Sequence, residues 1–135
     1  MTIPRYSVAS LRQFATELFA AAGMEAEKAQ AVAEVLVTGD MVGQRTHGMA
    51  LCPQYVEQIE KGLMAKAGAP EVIRDSGAVF VWDGGYLPGP WLVSQALELV
   101  ASRIAGHGVV TAVIRRSHHI ACLTSLIKQA TDRGL

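Results

Sequence analysis

The sequence carries no excess of charge of either sign: twelve basic and twelve acidic side chains cancel, and the basic ones are spread along the chain. Gripping a nucleic acid or an anionic membrane takes a basic stripe, so neither partner is expected. Cysteine is almost missing as well. Cys52 and Cys122 stand far apart and form no CxxC pair, which argues against a disulfide framework or a zinc ribbon and fits a reduced, cytoplasmic setting. The opening stretch, MTIPRYSVASLRQF, places Arg5 and Arg12 among polar residues and lacks the apolar core and cleavage site of a signal peptide. No run approaches the roughly 18 uninterrupted apolar residues of a membrane span. Also missing are a GxGxxG fingerprint, a GxxxxGKS/T loop and a GxSxG elbow, which leaves a Rossmann dinucleotide site, a phosphate-cradling loop and hydrolase chemistry without support.

What is present is a hydrophobic chain of 135 residues punctuated by glycine, enough for one ordinary core and read as one unit spanning 1–135. From Ser7 the apolar residues Leu11, Phe14, Ala15, Leu18, Phe19 and Ala22 recur at helical spacing and Gly23 follows where a helix stops. A second helix is predicted from Glu25 to about Val42, with Ala29, Val32, Leu36 and Val37 on one face. A third, from about Thr46 to Lys61, is read from Leu51, Tyr55, Ile59 and the stop at Gly62. Segment 1–62 is thus expected to be helical.

The texture changes over 63–135. Gly68, Pro70, Gly77 and Gly84-Gly85 punctuate two short β-rich runs, Glu71 to Arg74 and Val79 to Trp82, which read as a hairpin. A helix from about Trp91 to Ala105 and the apolar run Val109 to Ile114 complete a strand–helix–strand unit, and a last helix is expected from Ala121 to Arg133. The fold class is therefore α/β, or α+β: amino-terminal helices, then a hairpin and a strand–helix–strand–helix unit. A strand as apolar as Val109 to Ile114 calls for neighbours on both edges and cover on both faces. Either a second copy supplies them, or the natural domain continues past Leu135.

Two places combine proton-handling side chains with a suitable context. The first is Arg45-Thr46-His47-Gly48, followed by Tyr55; residues 47, 51 and 55 are four apart and should line one face of the third helix. A histidine at a helix start beside a hydroxyl can give or take a proton near neutral pH. The plainer alternative is a Thr46 cap with His47 and Tyr55 as half-buried structural residues. The second place is Arg115-Arg116-Ser117-His118-His119, at the carboxyl end of a strand, where α/β units build ligand sites. In a chain that stays extended there, His118 and His119 point to opposite sides and only one faces a given pocket. An exposed polar turn with a Ser117 cap is the alternative. A metal site drawing on His47, His107, His118, His119 and Cys122 is a third reading, although no HExxH, HxH or CxxC spacing is present.

At these motifs the chain resembles a known family. The run GDMVGQRTHGMALCPQYVEQIEKGLM is similar to the Ser-His-Gly block of the malate/L-lactate dehydrogenase family of non-Rossmann, nicotinamide-dependent reductases. GHGVVTAVIRRSHHIACLTSLIKQATDRGL resembles the same family's Ser-Asn-His-Phe-Gly block, and WDGGYLPGPW its aspartate-glycine turn. The family includes ureidoglycolate and sulfolactate dehydrogenases, diketogulonate reductase and piperideine-2-carboxylate reductase. The resemblance, to the family's amino-terminal part, implies an oxidoreductase moving a hydride between NAD or NADP and a small 2-oxo acid, 2-hydroxy acid or cyclic imine, usually as a homodimer. It implies His119 and His47 as catalytic proton-handling groups and Thr46 and Tyr55 as substrate-binding groups, with cofactor-binding residues mostly beyond Leu135. Three departures stand out: Leu51 occupies the place of an arginine that pairs with a substrate carboxylate, and Ile120 and Ala121 replace Phe and Gly. A truncated, inactive remnant that only folds or associates, and a helical metal-binding module, are the competing readings.

Overall fold

A computed structural model describes residues 5–135. Met1 to Pro4, part of the stretch read above for a leader, lie outside the described residues. The element order is α1 (Val8–Ala21), α2 (Ala26–Met41), two short 3-10 turns (Arg45–His47 and Met49–Leu51), α3 (Cys52–Glu60), β1 (Glu71–Asp75), β2 (Val79–Asp83), α4 (Gly89–His107), β3 (Thr111–Arg115) and α5 (Leu123–Thr131). Among the described residues no helix is long and apolar enough to cross a membrane.

The Ser7 hydroxyl caps α1 by accepting the Ser10 amide at 3.0 Å; a cap of this kind contributes about 1 kcal/mol. Helix α2 is the centre of the molecule, with Ala29, Val32, Ala33, Val35, Leu36 and Val37 all buried. It packs between α1, α4 and α5, which is why its apolar residues occupy more than one face. Phe19, Tyr55, Ile59 and Met64 complete this core. Each large apolar side chain buried here stabilises the fold by about 1.5–3 kcal/mol. Lys28, though charged, is also buried. Its ammonium bonds Glu25 at 2.5 Å and lies 3.9 Å from the centre of the Trp91 ring, so its charge is both paired and placed over a π face.

The sheet has the order β1-β2-β3, with β1 antiparallel and β3 parallel to β2. The expected hairpin and the strand–helix–strand unit are both present. Phe80, Trp82, Ala112 and Ile114 turn toward Ala96, Leu99 and Val100 of α4. Val79 and Val113 lie on the other face and are 40% and 46% exposed.

Two expectations are corrected. The third helix does not run from Thr46, because Gly48 sits in an extended conformation (φ −105°, ψ −147°) that interrupts it, and α3 begins only at Cys52, next to Pro53 in its first turn. Proline suits that first turn since its missing N–H has no helical partner there anyway. Nor is β3 buried on both faces: its residues alternate between exposed and half-buried, and among the described residues it pairs with β2 alone.

Candidate functional site

The Arg45–Leu51 segment folds back on the end of α2 because two glycines let it. A side chain at Gly39 would meet the carbonyl oxygen of His47 at 2.7 Å, and one at Gly48 would collide with the Asp40 carboxylate. Asp40 in turn accepts the Met49 amide at 3.0 Å. This fold-back leaves Thr46 and His47 exposed, while Leu51 is half-buried and packs against the helical core. The continuous face of His47, Leu51 and Tyr55 expected from their spacing is therefore broken. Thr46 does not cap a helix; its hydroxyl lies 3.0 Å from Nδ1 of His47.

His47 and Tyr55 are nevertheless brought together, through His119. The ring of His119 stacks on that of His47 with centroids 6.0 Å apart and planes 23° from parallel. The hydroxyl of the fully buried Tyr55 is 2.8 Å from Nδ1 of His119 and 3.2 Å from the carbonyl oxygen of the same residue. The Ala121 amide also donates to Nδ1, at 3.3 Å. A backbone N–H can only donate, so in the neutral ring Nδ1 is the acceptor and Nε2 carries the proton. His119 itself is exposed.

The path after β3 differs from a strand that simply continues. Arg116 and Ala121 both adopt left-handed conformations, with φ of 48° and 54°, and the chain curls between them. As a result both His118 and His119 rest against Tyr55, edge-on, at centroid distances of 6.0 and 5.9 Å. His118 is not the outward-facing neighbour that alternation suggests: it is half-buried and its Nδ1 is buried without a partner. It lines a separate shallow cleft with Gln58, Gly62, Leu63 and Tyr86. Ser117 does not cap α5, since its hydroxyl donates to the His118 carbonyl.

Burial is the main cause that lowers the pKa of both histidines, with His119 adding to the effect on His118 and His47 to that on His119. Burial pushes the Tyr55 phenol well above its ordinary value, with Cys52 contributing; the hydroxyl stays protonated and available as a donor. The Cys52 thiol is pushed up to about 11, first by burial and then by the Asp40 charge, so it is a poor nucleophile near neutral pH.

The five side chains considered for a metal do not converge. His107 lies at the far end of α4, beside Gly77, and the Cys122 thiol donates to Gln44. Among the described residues no group of three His, Cys, Asp or Glu side chains is placed to hold an ion. A dinucleotide phosphate finds no cradle at the glycine-rich turn from β2 into α4 either. There the amides of Gly84 and Tyr86 donate to the carbonyls of Arg115 and Arg116, and that of Gly85 to Asp83. A groove between α1, α2 and α4 shares no lining residue with the histidine cluster.

The sequence reading missed three contributors. Gln44 ties the two motifs together by donating to Thr124 at 2.9 Å and accepting from Cys122. Gly89 is one whose Cβ would meet the carbonyls of His118 and His119 at 2.7 and 2.8 Å. Asp83 anchors the arginines that precede the histidines. Of these only Asp83 had a sequence signal, the aspartate-glycine turn.

Comparison with known proteins gives the family of the chain. The family model described as malate/L-lactate dehydrogenase matches residues 6–135. An L-lactate dehydrogenase from Cupriavidus necator is 30% identical over 130 residues, covering 96% of this chain and 37% of its own. Malate dehydrogenase from Entamoeba histolytica superposes with a TM-score of 0.92 at 22% identity, over 98% of this chain and 37% of that one. Delta1-piperideine-2-carboxylate reductase from Pseudomonas syringae gives 0.89 at 23% identity, over 98% and 40%. The chain thus spans little more than a third of the relatives it matches. By the extent of the family match, the chain belongs to the malate/L-lactate dehydrogenase family.

Proposed function

We propose that this chain supplies the proton-handling part of an oxidoreductase that moves a hydride between NAD or NADP and a small 2-oxo acid, 2-hydroxy acid or cyclic imine. One observation carries the reading: an exposed His119 whose Nδ1 is held at 2.8 Å by a buried tyrosine hydroxyl, leaving Nε2 as the ring nitrogen outside that contact. A carbonyl that accepts a hydride becomes an alkoxide unless an acid protonates it in the same step. Protonated His119 can deliver that proton from Nε2. Tyr55 accommodates the proton on either nitrogen: its hydroxyl donates to Nδ1 in the resting neutral ring, and while Nδ1 is protonated, before and just after delivery from Nε2, its oxygen accepts from Nδ1–H and its O–H turns to the His119 carbonyl, 3.2 Å away. His47, stacked on His119, and Thr46, hydrogen-bonded to His47, are assigned to proton handling and substrate binding, with Tyr55 orienting His119. The nicotinamide supplies the hydride. The turn from β2 into α4 does not fit the cofactor's phosphates, its amides being spent on Arg115, Arg116 and Asp83, and only the proton side of the reaction is assigned to the described residues.

In this reading 1–62 and 63–135 form a single unit that contributes the substrate end of a larger fold, in a cytoplasmic setting. The free edge of β3 and its exposed face favour self-association, with a homodimer as the expected form. Leu51, packed against the core, offers no charge to a substrate carboxylate, so an acid group on the substrate would be held elsewhere.

The test is nicotinamide oxidation over a panel of 2-oxo acids and cyclic imines, using a polypeptide that carries this segment with the remainder of the family fold. Reduction is expected to slow as pH rises through the His119 pKa, which lies below the ordinary 6.5, because the protonated ring is the donor. Absence of turnover with every member of the panel, by folded protein, contradicts the proposal.

A further inference from the structure

The turn from β2 into α4 is fastened at several points to the loop that carries His119. Asp83 is only 2% exposed. Its carboxylate accepts from Nε of Arg115 at 2.7 Å, from Nε of Arg116 at 2.8 and 2.9 Å, and from the Gly85 amide at 3.0 Å. These contacts, Arg116 foremost, hold its pKa down at about 2. Arg116 is at φ 48°, a conformation that a long side chain leaves unless its surroundings hold it there. That reversal turns the chain away from the line of β3 and back toward Tyr55. The Gly84 and Tyr86 amides donate to the carbonyls of Arg115 and Arg116 at 2.8 and 2.6 Å, and the His118 amide donates to the Leu87 carbonyl at 3.1 Å.

We propose that Asp83 is a positioning residue for His119: by gripping Arg116 in its left-handed conformation, it sets the path of the following loop and so the contact between Nδ1 and the Tyr55 hydroxyl. Both arginines are more than half exposed, and pairs of that kind stabilise a fold little. What a buried carboxylate with two guanidinium partners fixes is geometry. Asp83 acts at a distance, through Arg116 and the backbone of Ser117 and His118.

The inference rests on reading His119 as the proton donor, but its test needs no turnover, so the two can fail separately. In the 135-residue chain labelled with ¹⁵N, the His119 ring nitrogens should give two resolved signals, one protonated and one accepting a hydrogen bond. Tyr55→Phe shows what loss of that bond looks like. Asp83→Ala is expected to give the same collapse toward averaged, solvent-like ring signals, with the helical circular dichroism and the His107 signals unchanged. Asp83→Glu, which keeps the charge, should recover the resolved pair in part. Should Asp83→Ala fail to fold, Arg116→Ala decides the matter, because alanine loses the grip and, unlike glycine, does not take the left-handed conformation freely; it is expected to broaden the His119 signals. A folded Asp83→Ala or Arg116→Ala chain that keeps the native His119 signals overturns the proposal.

Discussion

The helical part, α1 to α3, and the sheet part, β1 to β3 with α4, bury their apolar residues in different ways. In the first, α2 is enclosed by α1, α4 and α5 and its valines and leucine are shielded completely. In the second, one face of the sheet meets α4, while Val72, Val79 and Val113 on the sheet and Val109 just before β3 remain 40–72% exposed. The site lies where the two meet, with Tyr55 given by the closed part and His119 by the open one. A rigid helical core can hold the tyrosine still, whereas the histidine depends on a loop that must be fastened separately. Protection is thus greatest beneath the site and least beyond it.

Stability measurements sharpen that contrast, and the largest effect belongs to the helical part. Leu36→Ala, at a position with no exposure, is expected to cost about 2–5 kcal/mol in chemical denaturation, the range for an enclosed leucine. In the sheet part Val113→Lys should change stability by about 0.5 kcal/mol or less, and should reduce concentration-dependent association in light scattering. Equal losses at the two positions would break the comparison, as would a parent chain that stays monomeric over a wide concentration range.

Acid titration separates the regions in another way. His118 and His119 have folded pKa values below their ordinary 6.5, so the unfolded chain binds protons first as pH falls. Stability is therefore fully present above about 6.5 and declines as pH drops below it. Asp83 follows the same sign at lower pH, since its pKa is lowered from 3.8 to about 2, and its contribution is lost across that window. Denaturation midpoints measured against pH should show two declines. His119→Ala should diminish the upper one, and Asp83→Asn the lower.

Much of the fold could be read from periodicity, and the exceptions have physical causes. Helices α1, α2 and α4 and the hairpin carry clean apolar spacing and glycine stops at Gly23, Gly43 and Gly108. The third helix was misplaced at its start because apolar residues continue through Met49 and Leu51 while the backbone bends at Gly48. Strand β3 looked like a fully buried strand from composition, but in the fold only alternate residues meet α4. The resemblance named His47, Tyr55 and His119 as site residues, but the contact of Tyr55 with His119, 64 positions away, has no local signal in the sequence. The left-handed turns at Arg116 and Ala121 could not be read at all. Neither residue is glycine, and Arg116 meets Asp83 and Tyr86, both far from it in sequence.

The central claim is that His119, oriented by Tyr55, is the proton donor, although His118 lies just as near the same tyrosine ring. The most direct measurement compares the two substitutions in a catalytically competent polypeptide, following nicotinamide oxidation with a substrate the parent turns over well. His119→Ala should lower kcat/KM by about 10²–10⁴-fold, as loss of a general acid does, and His118→Ala should lower it far less. A folded His119→Ala protein with normal turnover, beside an inactive His118→Ala protein, would contradict the account.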